Sequence, residues 1–296
     1  MAVVRHTPQL VCGVLLLMAG GASVSAQQAP VLPYEPPKQF GASVTGAFEG
    51  WFDSADGTHN FLVGYFNRNL KQAQDIPIGP NNRIEPGGPD LGQPTHFLPH
   101  RRTGVFIVPV PKTFSPDQKL TWTLTVNGQT TQIPLRLHRD YNVNPFSEIA
   151  IGNTPPIVKL AANGTAIQGP VALLSKAPSV AATVGAPLTL AASVDDDGKF
   201  ASATMAPVTG NRSPVSLRWL KYRGPGTVTF EAEEPKLEVS KGGQINQPFS
   251  ATGTTTAKFS APGEYALMLL ATDYSGEGGN GEVCCWTNAY VKVTVK

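Results

Sequence analysis

The sequence TWTLTV at residues 121–126 alternates polar and apolar side chains without a break. A period of two places its Trp, Leu and Val side chains on one face of a half-buried β-strand. Asn127 and Gly128 follow, and both residue types tolerate the positive φ angles of a tight hairpin turn. An extended pattern resumes over residues 130–137, so the sequence predicts a β-hairpin here.

Segments of the same kind recur on both sides of this hairpin, whereas helical periodicity is almost absent. They are short, rich in Val, Phe and Tyr, and bounded by Gly, Asn, Asp or Pro. In the segment at 289–295, Ala289, Val291, Val293 and Val295 face one side and the residues between them face the other. Regular spacing of short strands is typical of β-sandwiches, so we expect an all-β fold. The further predicted strands span residues 44–52, 61–66, 104–110, 187–194, 215–222, 227–231, 255–259, 265–273 and 289–295.

The chain has 296 residues, which is more than one domain usually contains. Pro155 and Pro156 fix φ and remove backbone donors, which favours a stiff joint near the middle of the chain. We therefore expect two consecutive β-sandwich domains after a cleaved signal peptide. The predicted organisation is a signal peptide at 1–26, a Pro-rich segment at 27–39, a first β-sandwich at 40–148, a linker at 149–156 and a second β-sandwich at 157–296.

The first residues predict export. Residues 10–18 (LVCGVLLLM) form an apolar run that is too short to span a bilayer, and residues 22–26 (ASVSA) contain a small-residue cleavage pattern. We expect a mature chain that starts near Gln27, is secreted or periplasmic, and has no membrane insertion after signal removal. The alternative is a buried N-terminal helix. Removing Arg5 leaves 22 basic against 21 acidic residues, so the chain has no electrostatic footprint for nucleic acid.

The second half carries an ordered series of short motifs. They are PPIV at 155–158, the residues 188–198, LRW at 217–219, GPGTVTF at 224–230, TAKFSAPGEY at 256–265, and the residues 267–273 and 291–295. Trp219 supplies a large core anchor, and Tyr265 can fill a core while its hydroxyl finds a backbone partner. In this order the motifs resemble those of the PKD (polycystic kidney disease) domain. The resemblance covers residues 155–296 and implies an immunoglobulin-like β-sandwich with an adhesive role, although long inserts at 199–214 and 231–247 depart from the pattern.

The first half resembles uncharacterised exported bacterial proteins in GYFNRN at 64–69 and in residues 79–97. That resemblance implies no activity.

Residues 76–102 (IPIGPNNRIEPGGPDLGQPTHFLPHRR) are predicted to form a connection much longer than is usual between strands. Long loops are often functional, and polar side chains in this one could bind a polar ligand, a carboxylate or a sugar. The alternative is a segment that wraps the sandwich and is held by side-chain to backbone hydrogen bonds. The candidate ligand-binding residues are Asn81, Asn82, Arg83, Glu85, Asp90, His96, His100 and Arg101, with Arg102 beside them.

Metal binding is a second possibility. Asp195 and Asp197, in the run DDDG at 195–198, could hold calcium with the help of backbone oxygens, or the run could form a solvated turn. The two loop histidines, with His59, could supply imidazoles for zinc or copper, although hydrogen-bonded or exposed histidines are the default. Calcium is thus a possible ligand, and no cofactor is required.

Cys284 and Cys285 are the two cysteines that stay after the predicted cleavage, which removes Cys12. An oxidising compartment favours a bridge between them, but adjacent residues can form one only where the chain is distorted, and the glycines at 277–281 could provide such a turn. The alternatives are one or both thiols buried as small apolar fillers, a metal site, or an intermolecular bridge.

The sequence contains no nucleophile elbow, zinc-protease helix or phosphate-binding glycine loop. We expect an exported, non-catalytic module with a binding, adhesion or structural role, whose partner is an extracellular polysaccharide or another exported protein. The alternatives are an extracytoplasmic hydrolase with a loop-borne site and a metal-binding protein that uses the Cys-Cys end or the Asp-rich turn.

Overall fold

The computed structural model describes residues 35–161, 164–199, 213–242, 246–276 and 283–296. The predicted signal peptide, the predicted cleavage site and the glycines at 277–281 lie outside the described residues. Residues Glu35–Lys296 form one compact unit.

The predicted all-β fold is confirmed. Apart from two short 3₁₀ helices, Arg139–Tyr141 and Leu174–Lys176, the regular elements of the described residues are β-strands. Those of the N-terminal half are β1 (Val44–Asp53), β2 (His59–Asn67), β3 (Gln74–Asp75), β4 (Asn82–Glu85), β5 (His96–Phe97), β6 (His100–Val110), β7 (Leu120–Val126) and β8 (Gln129–Leu135). Those of the C-terminal half are β9 (Ile157–Lys159), β10 (Ile167–Gln168), β11 (Ser179–Ala182), β12 (Leu188–Asp196), β13 (Ser216–Arg223), β14 (Val228–Phe230), β15 (Leu237–Lys241), β16 (Phe249–Phe259), β17 (Gly263–Thr272) and β18 (Trp286–Val295).

The N-terminal half contains two three-stranded antiparallel sheets. Sheet 1 has the order β1-β2-β6, and sheet 2 has the order β4-β7-β8. The predicted hairpin is confirmed as β7 and β8, in which Val126 pairs with Gln129 across a two-residue turn. Asn127 and Gly128 have φ angles of 51° and 75° there, as the turn requires. Trp122 of β7 is completely buried and meets the ring of Phe106 from β6 edge-on.

The C-terminal half is a β-sandwich. Sheet 3 has the order β10-β9-β12-β16-β14, with β15 also paired to β16, and sheet 4 has the order β11-β18-β17-β13. Trp219 is buried between the two sheets with Phe249 and Phe259, as expected of a core anchor. The hydroxyl of Tyr265 donates to the carbonyl oxygen of Ala261 at 2.9 Å, so the predicted backbone partner is confirmed.

Sheet 4 is buried on both faces along much of β13, β17 and β18, whereas the edge strand β11 is mostly exposed. In β18, Ala289, Val291, Val293 and Val295 join the sandwich core, as the alternation predicted. Tyr290 lies on the opposite face, which packs against the N-terminal half in a second continuous core. The alternation in β18 does not predict this second contact. The second face presents Leu220, Tyr222, Ala266, Met268, Leu270 and Tyr290.

Candidate functional site

The segment 76–102, predicted to be a long connection, contains regular structure. β4 pairs with β7 at the edge of sheet 2, β5 pairs with β3, and β6 begins at His100 and pairs with β2. The expectation of one irregular loop is therefore wrong. Short polar strands such as β4 are stabilised by their partner strand and carry little signal of their own.

Asn82 is a structural residue in this segment. Its side chain is fully buried, and its amide nitrogen donates to the carbonyl oxygens of Ile76 at 2.9 Å and Pro94 at 2.8 Å. Its amide oxygen accepts the indole N–H of Trp122 at 3.0 Å. The amide nitrogen and the amide oxygen of Asn82 thus both have hydrogen-bond partners within the protein. The residue holds the segment onto sheet 2.

Two further candidates form an ion pair at the surface. The Nε atom of Arg83 donates to Glu85 at 2.7 Å, and its guanidinium also donates to the carbonyl oxygen of Pro80. The pair lines a surface depression of about 550 Å³. Asn81 and His100 are exposed.

Other candidates contact different parts of the molecule. The guanidinium of Arg101 donates to Glu49 at 2.6 Å and to the carbonyl oxygen of Tyr65 at 3.1 Å. His96 lies 2.8 Å from Asp75, and this hydrogen bond holds the pKa of the Asp75 carboxyl below its usual range. The eight candidate residues are therefore not brought together in one pocket.

Asp90 forms a bidentate ion pair with the C-terminal half. Both terminal nitrogens of Arg223 lie 2.8 Å from its carboxylate oxygens, and this contact lowers the pKa of Asp90. The Arg223 guanidinium also donates to the carbonyl oxygen of Gln93, with its Nε at 2.9 Å. Beside it, the Tyr222 hydroxyl donates to the carbonyl oxygen of Gly92 at 2.6 Å. Bidentate arginine pairs fix orientation as well as distance, so this contact sets how the two halves meet.

Further polar contacts between the halves come from β18 and are buried. Trp286 and Asn288 donate to the carbonyl oxygen of Gly104 at 3.3 Å and 2.6 Å. The hydroxyl of Tyr290 donates to the carbonyl oxygen of Val105 at 2.6 Å. We call the contacts of these three β18 residues with β6, together with those of Tyr222 and Arg223, the junction.

The Asp-rich turn places its carboxylates in different surroundings. Asp195 is exposed and accepts the Ser250 hydroxyl at 2.6 Å. Asp197 accepts the backbone N–H and the hydroxyl of Thr154 at 3.1 and 3.0 Å. Asp196 lies between them in the sequence but is buried in the fold, and this burial raises the pKa of its carboxyl to about 7.

A buried polar cluster surrounds Asp196. One of its carboxylate oxygens accepts the N–H of Gly198, and the other has no hydrogen-bond partner. Asp273, whose pKa is also raised by burial, accepts the side-chain amide of Asn153 at 2.7 Å. The amide oxygen of Asn153 is buried and has no partner. The cluster therefore holds two unsatisfied oxygen atoms. The pattern of the sequence had pointed instead to Asp195 and Asp197, on either side of Asp196.

Cys284 and Cys285 form a vicinal disulfide. Both residues are buried, and the sulfur of Cys285 lies 3.5 Å from the carbonyl oxygen of Asn153. The bridge therefore borders the buried polar cluster. The sequence does not show this contact, because Cys285 and Asn153 are 132 residues apart.

Two cavities flank the chain segment around the 3₁₀ helix Leu174–Lys176. One has a volume of about 510 Å³ and lies beside the junction, lined in part by Arg223, Phe106 and Lys292. The other has a volume of about 730 Å³ and lies at the open edge of the C-terminal sandwich. Neither was predicted, since their walls come from segments that are distant in sequence.

Among the described residues, no three His, Cys, Asp or Glu side chains converge in a set that could hold a metal ion. No helix in the described part of the chain has the length and apolar character needed to cross a bilayer.

Comparison with known proteins adds little. No protein-family model and no curated protein matches the chain. Among solved structures, the chain is similar to domains 4 and 5 of the S-layer protein SbsC, with 15% sequence identity over 64% of this chain and 70% of that chain and a TM-score of 0.21. At that TM-score the likeness carries no information about what this chain does.

Proposed function

We propose that the chain is an exported, non-catalytic module that has a structural or binding role in an extracytoplasmic assembly and meets an extracellular polysaccharide or another exported protein. The junction carries this proposal. It joins the two β-sheet halves by buried hydrogen bonds and a bidentate ion pair. Such contacts fix the orientation of the halves, as expected of a rigid component of a larger assembly.

Two features support the location outside the cytoplasm. The apolar run at 10–18 and the small residues at 22–26 have the pattern of a cleaved leader. A disulfide between Cys284 and Cys285 is compatible with an oxidising compartment, since cytosolic thiols are normally kept reduced. We further propose that the C-terminal sandwich is of the PKD type. The bond of the Tyr265 hydroxyl and the buried position of Trp219 support this assignment.

The module hypothesis is tested on the protein isolated from its native source. We expect its N-terminus to be Gln27 and the protein to co-sediment with envelope fragments in a saturable manner, without releasing sugars or peptides from them. A full-length cytoplasmic product would contradict export. Absence of co-sedimentation would contradict attachment, and released fragments would favour the hydrolase alternative.

Calcium binding is a second candidate function, and the buried polar cluster favours it. Calcium prefers carboxylate and amide oxygens, and Asn153 and Asp196 each present one without a partner beside the carboxylate of Asp273. These three residues would hold the ion, which would stabilise the turn and neutralise two buried carboxylates. The expected ligands thus differ from the predicted pair, Asp195 and Asp197.

Thermal unfolding with calcium or with a chelator tests this site. Calcium at 100 times its dissociation constant should stabilise the fold by about 2.7 kcal/mol. Asp196→Asn should abolish the increase in the unfolding temperature, whereas the exposed Asp195→Asn should retain it. No shift in the unaltered protein, or a shift lost only in Asp195→Asn, would contradict the assignment.

A further inference from the structure

The 730 Å³ cavity is built into the C-terminal sandwich. It lies where the edge of sheet 3 faces β11 and β18 of sheet 4, and residues from 160–161 and 164–178 cover it. Its volume falls within the range of about 300–1,000 Å³ that is usual for small-molecule sites. The wall is mainly aliphatic, with aromatic surface from Trp219 and Tyr290. Its apolar lining includes Leu160, Ile167, Leu173, Val180, Leu190 and Val291.

Few polar groups line the cavity, and two of the larger ones are already hydrogen-bonded within the protein. The amide of Gln168 donates to the carbonyl oxygen of Pro155 at 2.9 Å, and the Tyr290 hydroxyl belongs to the junction. Among the described residues that line the cavity, Lys176 is the one with a charged side chain, and it is exposed. A molecule in this cavity would therefore meet an apolar wall with one cation beside it.

The core side of the cavity has an unsatisfied donor. The indole N–H of Trp219 is buried and has no hydrogen-bond acceptor. Leaving a buried donor unpaired costs about 1–3 kcal/mol, and native proteins rarely tolerate it without a reason. Trp219 lines the cavity, so its fluorescence should respond to whatever fills the space.

We propose that this cavity binds a small amphiphile with an elongated apolar body and a single anionic group, of the class of free long-chain carboxylates. The apolar body occupies the space between the sheet edges, and the carboxylate pairs with the ammonium group of Lys176. Among its described lining residues the cavity shares Tyr290 with the junction, where the Tyr290 hydroxyl is already hydrogen-bonded, and it shares none with the buried polar cluster. This proposal does not depend on the proposed attachment function.

Three probes of equal chain length separate the contribution of the charge from that of the apolar chain. They are sodium dodecanoate and dodecyltrimethylammonium, each below its micelle concentration, and dodecan-1-ol below its solubility limit. Dodecanoate should bind one per chain and change the fluorescence of the mature protein. The alcohol should bind about threefold to fivefold more weakly, as loss of one exposed ion pair implies, and the cation more weakly still.

Two variants locate the binding. Lys176→Gln should reduce dodecanoate affinity to that of the alcohol without changing alcohol binding. Trp219→Phe should remove the fluorescence response while calorimetry still detects binding. No saturable dodecanoate binding, equal binding of all three probes, or an unchanged affinity in Lys176→Gln would overturn the proposal. Binding to vesicles of anionic phospholipid but not to free dodecanoate would also overturn it, because a membrane surface would then be the ligand.

Discussion

At the scale of single residues, the neighbours Asn81 and Asn82 should differ sharply in their effect on stability. Asn82→Ala leaves two carbonyl oxygens and the Trp122 indole N–H without a buried partner, so we expect the free energy of unfolding to fall by about 3 kcal/mol. Asn81 is exposed, and Asn81→Ala should stay within about 0.5 kcal/mol of the unaltered protein. Urea unfolding followed by tryptophan fluorescence measures both. Equal losses would mean that Asn82 does not anchor the segment.

Asp196 should make stability depend on pH in the metal-free protein. Burial and the nearby carboxyls of Asp273 and Asp197 raise its pKa to about 7, whereas an aspartate in an unfolded chain titrates near 4. The folded protein thus keeps a proton that the unfolded chain releases. The free energy of unfolding should fall as pH rises from about 4 to 7 and level off above that.

Unfolding midpoints in chelator across this pH range test the expectation. Asp196→Asn cannot ionise at this position and should have a flatter profile. Profiles of equal slope in the two proteins would contradict a raised pKa of Asp196 in the fold.

At the scale of secondary structure, the strands with clear alternation could be predicted from the sequence. β7, β8 and β18 are examples, because each has one apolar face and one polar or separately buried face. Strands such as β4 and β10 could not, since they are two to four residues long and exist through pairing with a neighbour. The second contact of sheet 4 left one signal in the sequence. Residues 265–271 (YALMLLA) are apolar without interruption, which indicates a strand covered on both sides.

The candidate site was predicted less well than the strands. Polar residue types in 76–102 were recognised, but the sequence does not show whether an asparagine faces solvent or closes a core. The buried polar cluster joins Asn153, Asp196 and Asp273, which only the fold brings together.

Two glycines with positive φ test the contact between β6 and β18. Gly104 has a φ of 50°, and a Cβ atom there would overlap the indole of Trp286. Gly128 has a φ of 75° in the hairpin turn, and a Cβ atom there would have no neighbour within 4 Å. Gly128→Ala should cost about 1 kcal/mol from backbone strain alone, and Gly104→Ala about 3 kcal/mol because overpacking is added. Similar losses in chemical denaturation would mean that the indole can move aside.

At the scale of the whole molecule, the C-terminal sandwich should not be soluble alone. A fragment of residues 157–296 would expose the second face of sheet 4, including Met268 and Leu270, which are buried in the complete chain. We expect this fragment to self-associate in size-exclusion chromatography with light scattering. The same fragment with Met268→Lys and Leu270→Lys should be more monomeric, because charges would replace apolar side chains at that face. A monomeric, folded unaltered fragment would instead support the predicted boundary between independent domains.

The junction also bears on how long the chain takes to fold. Trp286, Asn288 and Tyr290 bond to a stretch of β6 that lies 182 to 185 residues earlier. Contacts between such distant parts of a chain form slowly, because the entropy of closing the loop is lost before the contact is gained. We expect refolding on the order of milliseconds to seconds, measurable by stopped-flow tryptophan fluorescence, and sub-millisecond refolding would contradict this. During that interval the chain is still unfolded, which is the state that the proposed export through a membrane channel would require.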